Sequence, residues 1–413
     1  MQSKTSGASW LARNYGWVVV FASLMMIVVG QGTMFVLSVS LKPITLELNW
    51  PREVPSLAYA CAFTGAGIGA LYIGKLSDRV GMGPVSAIAA VSIPTGAVLT
   101  SFVTQPWQLY LIFAVLIGLL GNAAIFSPLM ANTTRWFDRN RGIALGIVAS
   151  GQSLGGTIWP PIVERINAAT SWRTSFLVFA ATAFVVMSAM AFVLKPRAPG
   201  HDAGPAAPAS SADGDRVLGW RPGMVQAMLC AAIVCCCIPM SMPLVHLVAY
   251  GSDLGHSSAE AAGLLSIALA ASFISRLGGG ALADRIGGLR TLFIGSAIQA
   301  TMLAILSLTH ELVSLYVVCA LFGLGYGGII AMYAFIAREF FPAAGIGSRL
   351  AWIYLFGTLG MACGGWLGGA IFDAAGSYAP AFQVAAAVNA VNLAIIGTLI
   401  WRSRRSTLMT AAA

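Results

Sequence analysis

Apolar residues along the chain neither alternate in twos nor recur on a single helical face; they gather in runs of about 20 residues separated by polar intervals. Twelve runs can be marked, at 16–38, 54–74, 84–103, 107–131, 142–164, 172–194, 222–249, 259–281, 288–308, 312–337, 345–371 and 379–401. At 1.5 Å per residue each can cross a hydrocarbon core of about 30 Å as a helix. The pattern predicts an all-α membrane protein of twelve transmembrane helices. The first run is too long for a cleavable signal peptide, so it is expected to stay as the first helix. One interval is long: Lys195 to Arg221, rich in Pro, Ala, Ser, Gly and Asp, reads as a flexible cytoplasmic linker. The expected organisation is therefore a six-helix bundle over 1–194, a linker over 195–221 and a second six-helix bundle over 222–413.

Composition removes the soluble classes. With 58% hydrophobic and 9% charged residues, the chain has too few polar groups to solvate a globular surface. A net charge of +9, from 23 Lys+Arg against 14 Asp+Glu, would suit nucleic acid if it lay on one face. It lies in clusters between apolar runs instead. With the amino terminus in the cytoplasm, 18 of the 23 cations fall on that side, among them Arg135, Arg139, Arg141, Arg402, Arg404 and Arg405; Lys42, Arg52, Arg165 and Arg173 fall outside. Topology accounts for them, and both termini are expected in the cytoplasm, with the chain a monomer in a bacterial inner (plasma) membrane and no nucleic-acid partner. Seven cysteines, including Cys235, Cys236 and Cys237, have no metal-ligand spacing and read as small membrane hydrophobes. Neither a metal nor a cofactor is expected.

An internal repeat supports two halves. Gly74-Lys-Leu-Ser-Asp78-Arg79-Val-Gly81 recurs as Gly280-Ala-Leu-Ala-Asp284-Arg285-Ile-Gly287, 206 residues later, half the chain. Arg276 breaks the symmetry: its counterpart is Ala70, and it stands alone inside the eighth apolar run. An ionised side chain at bilayer depth costs roughly 2.5–3.5 kcal/mol on insertion scales and normally faces a bundle interior or a water-filled cavity. Arg276 reads first as an anion ligand, because a guanidinium grips a carboxylate through two parallel hydrogen bonds. A structural cation bonded to carbonyls, or one snorkelling to the interface, is the other reading. One buried cation with no buried acid suits a monoanion better than a dianion.

The doubled G-x-L-[SA]-D-R-x-G loop resembles the signature of the major facilitator superfamily, over the whole chain. Gly16-Trp17, Leu41-Lys42-Pro43, Arg135-Trp136-Phe137 through Arg141-Gly142-Ile-Ala-Leu-Gly146, and Arg276 are more narrowly similar to monocarboxylate transporters, including bacterial lactate and oxalate/formate porters. The resemblance implies that Arg276 binds the substrate carboxylate. It also implies a role for a histidine and an acid late in the seventh helix, here His246 and Asp253. Two departures stand out: the eleventh run lacks the lysine of dicarboxylate-handling relatives, and Ser272 stands where some animal members carry an aspartate.

The expected activity is secondary transport of a small monocarboxylate of the lactate or pyruvate kind, coupled to a proton, by alternating access. Carboxylate exchange, of the oxalate/formate kind, or export of amphipathic organic acids is the alternative within transport. A membrane sensor would need a signalling domain beyond a 27-residue linker, and an enzyme would need a catalytic constellation. The sequence offers no H-E-x-x-H, no buried carboxylate pair and no Ser-His pairing at depth. His246 and Asp253 are the proton-coupling candidates; a satisfied core histidine and an ordinary loop aspartate are the plainer readings. Pro239 and Pro243 before His246 are expected to loosen the helix. Gln31, Asn122, Gln152, Tyr326, Tyr333 and Tyr354 can line a substrate cavity with Arg276 or simply join helices. Asp78, Arg79, Arg139, Arg141, Asp284, Arg285 and Arg338 are candidates for a cytoplasmic gate, the arginines also serving to set topology. Glycine-rich stretches at Thr64–Gly69 and Gly323–Gly328 lie inside apolar runs and read as packing surfaces.

Overall fold

A computed structural model describes residues 6–137, 141–196, 217, 219–341 and 346–411, with backbone alone for 6–14, 141 and 404–411. Both chain ends, most of the 195–221 interval and Arg139 lie outside the described residues, as does the side chain of Arg141. In chain order the helices are α1 Tyr15–Leu48, α2 Glu53–Val80, α3 Met82–Thr100, α4 Pro106–Arg135, α5 in two pieces, Arg141–Ala149 and Gly151–Ala169, α6 Trp172–Val193, α7 Pro222–Asp253, α8 Ser258–Ile286, α9 Gly288–Leu306, α10 Leu312–Phe340, α11 Ile346–Ala375 and α12 Ala379–Ser403. Among the described residues, eleven are long and apolar enough to cross a membrane. The exception is α5, broken at Ser150, whose longer piece carries Gln152, Pro160, Pro161, Glu164 and Arg165. The protein is an all-α, multi-pass membrane protein.

Several boundaries differ from the hydropathy reading. Helix α1 continues to Leu48, past Lys42 and Pro43, because the proline removes one N–H without ending the helix. Helix α7 runs through Pro239, Pro243 and Gly251 to Asp253, so the expected loosening is not seen and His246 shares one continuous helix with Asp253. A glycine face on α11 explains its persistence: Gly360, Gly364 and Gly368 press against Cys237, Ile238 and His246, where a Cβ would collide, and Gly357 leaves only tight room beside Ile233. That close packing holds α7 across its prolines.

The repeat has a structural meaning at its last residue. Gly81 and Gly287 adopt φ of 85° and 87°, in the left-handed region that side chains avoid. Each amide donates back, Gly81 to the Ser77 carbonyl at 3.0 Å and Gly287 to the Ala283 carbonyl at 2.8 Å, and the next helix starts at once.

The first six helices meet the last six along α5 against α8, α2 against α11 and α1 against α7. Glycines make the approach possible: Gly156 faces Leu269 and Phe35, and Gly365 faces Tyr59.

Candidate functional site

Four helices are interrupted, each beside a polar residue singled out from the sequence. Helix α1 turns at Gln31. Helix α4 widens to a π-helix over Ile112–Asn122 and breaks at Phe126. Helix α5 breaks at Ser150, two residues before Gln152, and α10 breaks at Gly327 and Gly328, directly after Tyr326. Irregular backbone at membrane depth is tolerated only where it is buried in protein or lines a cavity, so coinciding breaks mark a centre.

Arg276 lies beside two of these breaks, those of α5 and α10. Its Nη1 donates to the Ala149 carbonyl and its Nη2 to Gln152 Oε1, each at 3.2 Å. Ala149 is the last residue before the break in α5, where a helix end leaves carbonyls without intrahelical partners. One turn back along α8, the Ser272 hydroxyl meets that of Ser153 on α5 at 2.8 Å. Helix α10 touches α8 at the same level, Gly327 lying against the Ser272 backbone. The Tyr326 hydroxyl thus lies beside Ser272 and within electrostatic reach of Arg276. Two buried polar atoms here, Arg276 Nε and Tyr326 Oη, have no hydrogen-bond partner among the described residues. Tyr333 Oη and Asn122 Oδ1 are likewise unpartnered, but Tyr333 lies beside the α7 cysteines and neither is brought to Arg276. No carboxylate lies within ion-pair distance of Arg276 among the described residues. A half-buried cation served by two neutral oxygens, with its buried Nε–H unmet, is complementary to an anion. Gln31 is buried at its break, while Tyr354 is exposed on α11 and faces Arg338 electrostatically.

A second polar cluster closes the Asp253 end of the molecule. Asp253 receives Arg52 through both guanidinium nitrogens Nη1 and Nη2, the latter at 2.8 Å, and Lys42 at 3.0 Å. Lys42 also donates to Ser252 Oγ at 2.9 Å. The Arg52 guanidinium lies 3.7 Å over the Phe372 ring and 5.2 Å from that of Tyr378. Burial opposes the Arg52 charge, yet its interactions with Asp253 and with the Tyr378 hydroxyl together outweigh this and raise its pKa. Asp373 accepts the backbone N–H groups of Arg52 and Glu53 at 3.0 and 2.7 Å, placing a carboxylate at the positive end of α2. Trp366 donates to Glu53 at 2.8 Å and Ser258 to Glu164 at 2.6 Å. These contacts all join the first six helices to the last six.

His246 belongs to this end. Its Nε2 is 2.9 Å from the Gly365 carbonyl and its Nδ1 is 3.1 Å from the Tyr378 hydroxyl. A carbonyl only accepts, so Nε2 carries the hydrogen and Nδ1 of the neutral ring accepts from Tyr378. Burial pushes the Tyr378 hydroxyl above its ordinary pKa. Asp253 and His246 are linked through Arg52 and Tyr378, and neither is brought to Arg276.

Among the described residues the opposite end shows fewer ion pairs between the two halves. Asp78 pairs with Arg135 at 2.7 Å, within the first six helices, and both are exposed. Arg79, Asp284, Arg285 and Arg338 form no ion pair with a described residue. Gly74, Gly142, Gly146, Gly278 and Gly280 have nothing within 4 Å of a Cβ position. Sequence reasoning missed Lys42, Arg52, Asp373, Tyr378, Ser153 and Ser272 as members of these clusters. Lys42 and Arg52 did carry a signal, since they are two of only four cations placed on the poorly charged side.

The family model for the Major Facilitator Superfamily matches residues 20–348 and 227–411. An "MFS-type transporter pynF" of Aspergillus niger is 28% identical over 74% of this chain and 69% of its own. "Monocarboxylate transporter 13" of Rattus norvegicus is 25% identical over 94% of this chain and 89% of its own. A bacterial homologue of the human lysosomal transporter Spinster, solved in an inward-facing and occupied conformation, superposes with a TM-score of 0.71 at 15% identity, over 95% of this chain and 97% of that one. The chain belongs to the Major Facilitator Superfamily and is a transporter rather than an enzyme.

Proposed function

We propose that this transporter carries a small monocarboxylate of the lactate or pyruvate kind together with a proton. One observation carries the reading: Arg276, between the broken helices α5 and α10, presents an unmet Nε beside the unpartnered Tyr326 hydroxyl, with no acid to neutralise it among the described residues. A single negative charge completes that environment; a dianion would bring a second charge without a second cation at this depth. The rat relative's name, a monocarboxylate transporter, points the same way.

Placing the cation-rich side in the cytoplasm puts the Asp253 end outside and the opposite end inside a bacterial inner membrane. Each six-helix half then moves as a unit, joined by the 195–221 linker. Rocking the halves toward an outward-open state must break Arg52 and Lys42 from Asp253, and Ser258 from Glu164. The same movement would close Asp78, Arg79, Arg139, Arg141, Asp284, Arg285 and Arg338 upon each other as the inner gate. Protonation of Asp253 removes the charge that holds Arg52, and protonation of His246 removes the lone pair that receives Tyr378. Either change favours opening on the proton-rich side.

The test is stabilisation of the purified protein by a panel of mono- and dicarboxylates, followed by uptake into liposomes under an imposed pH gradient. Protection by lactate or pyruvate and gradient-driven accumulation are expected. Equal or better protection by oxalate-like dianions would refute the single-cation reading.

A further inference from the structure

Resting on that reading of Arg276, we propose that Gln152 is a displaceable placeholder for the substrate carboxylate rather than one of its ligands. The inference comes from which edge of the guanidinium is occupied. A guanidinium offers two bidentate edges: the end, Nη1 with Nη2, and the side, Nε with Nη2. At Arg276 the Nε donor is buried and unpartnered, while Nη2 is held by Gln152 Oε1 and Nη1 by the Ala149 carbonyl. A carboxylate arriving on the side edge meets one free donor and has to displace one neutral amide oxygen. The backbone bond from Nη1 to Ala149 can persist and keep the arginine aimed.

The exchange is favourable in this direction. A carboxylate oxygen accepts more strongly than an amide oxygen, and it neutralises a half-buried charge that the amide leaves intact. A neutral acid or amide gains neither advantage. Gln152 therefore sets a threshold that an anion passes and an uncharged isostere does not. Its side chain is able to withdraw because α5 is broken at Ser150, two residues earlier, and because its backbone is anchored independently through Ser153 to Ser272.

The test uses the purified full-length protein, with lactate and benzoate as a small and an aromatic probe. Gln152→Leu removes the competitor without adding a charge and is expected to tighten binding about fivefold or more, as loss of one competing hydrogen bond implies. Gln152→Glu ties a carboxylate onto the same edge. Without any ligand it is expected to raise Tm, a gain that vanishes in the Gln152→Glu/Arg276→Gln double variant, and to weaken lactate binding at least tenfold. Weaker binding by Gln152→Leu, with binding still dependent on Arg276, would make Gln152 a substrate ligand and overturn the placeholder alone. So would a Gln152→Glu variant with unchanged Tm. Lactate binding unaffected by Arg276→Gln would instead overturn the carboxylate reading of Arg276 itself.

Discussion

Two arginines in this chain sit between the same two groups of helices in opposite states of satisfaction. Arg52 has a carboxylate on its fork, an aromatic ring under its plane and a helix end stabilised by Asp373 beside it. Arg276 has two neutral oxygens at 3.2 Å and an Nε with no partner. A guanidinium with its counter-charge built in fastens the structure. One with the counter-charge left out is, on the proposed reading, completed by the substrate. The sequence marks Arg276 as unusual because it lies inside an apolar run, yet depth alone does not separate these roles; the acid partner does.

The contrast breaks most severely at Arg276. Arg276→Lys keeps the charge and loses the planar fork, which should cost on the order of 1.5–3 kcal/mol at a desolvated site, roughly 10- to 100-fold in initial uptake rate. Normal uptake by this variant would make Arg276 structural. At Arg52 the matching change is to remove its acid. Asp253→Asn leaves Arg52 and Lys42 facing each other without compensation and should shift the population toward an open Asp253 end by about tenfold, given charge-assisted bonds of about 1.5–3 kcal/mol. Spin labels at the exposed Leu46 and Ser377 would report longer distances; an unchanged distribution would deny that Asp253 holds this end closed. His246→Ala should leave lactate binding without a gradient close to wild type while uptake responds less to an imposed pH gradient. If both His246→Ala and Asp253→Asn keep the full response, the proton travels by another route. The smallest effect is expected from Tyr378→Phe, which deletes one neutral hydrogen bond to His246: about 1 kcal/mol, seen as a Tm lower by about one degree with binding intact.

Much of the architecture was legible because membrane helices declare themselves by length and composition. The repeat, too, was readable at Gly81 and Gly287, whose shared positive φ explains why both copies end in glycine. The interruptions were not. Nothing in the hydropathy of α5 distinguishes Ser150 from its neighbours, and a π-helix over Ile112–Asn122 has the same composition as an α-helix. Nor could the pairing of Arg52 with Asp253 be read, since the two are 201 residues apart and only packing of α2 against α11 and α1 against α7 brings them together. Read as separate features, Arg52 is a topology charge and Asp253 either a proton-coupling candidate or a loop aspartate. Seen together they form a latch.

The most direct measurement is calorimetric titration of the purified protein with lactate and with lactamide, which keeps the shape and loses the charge, in wild type and Arg276→Gln. Saturable lactate binding, a lactamide affinity at least about tenfold weaker, and loss of that difference in Arg276→Gln are expected, as one charge-assisted fork is worth well over 1.4 kcal/mol. Equal binding of lactate and lactamide to wild type, or a preference for lactate that survives in Arg276→Gln, would contradict a carboxylate site at Arg276.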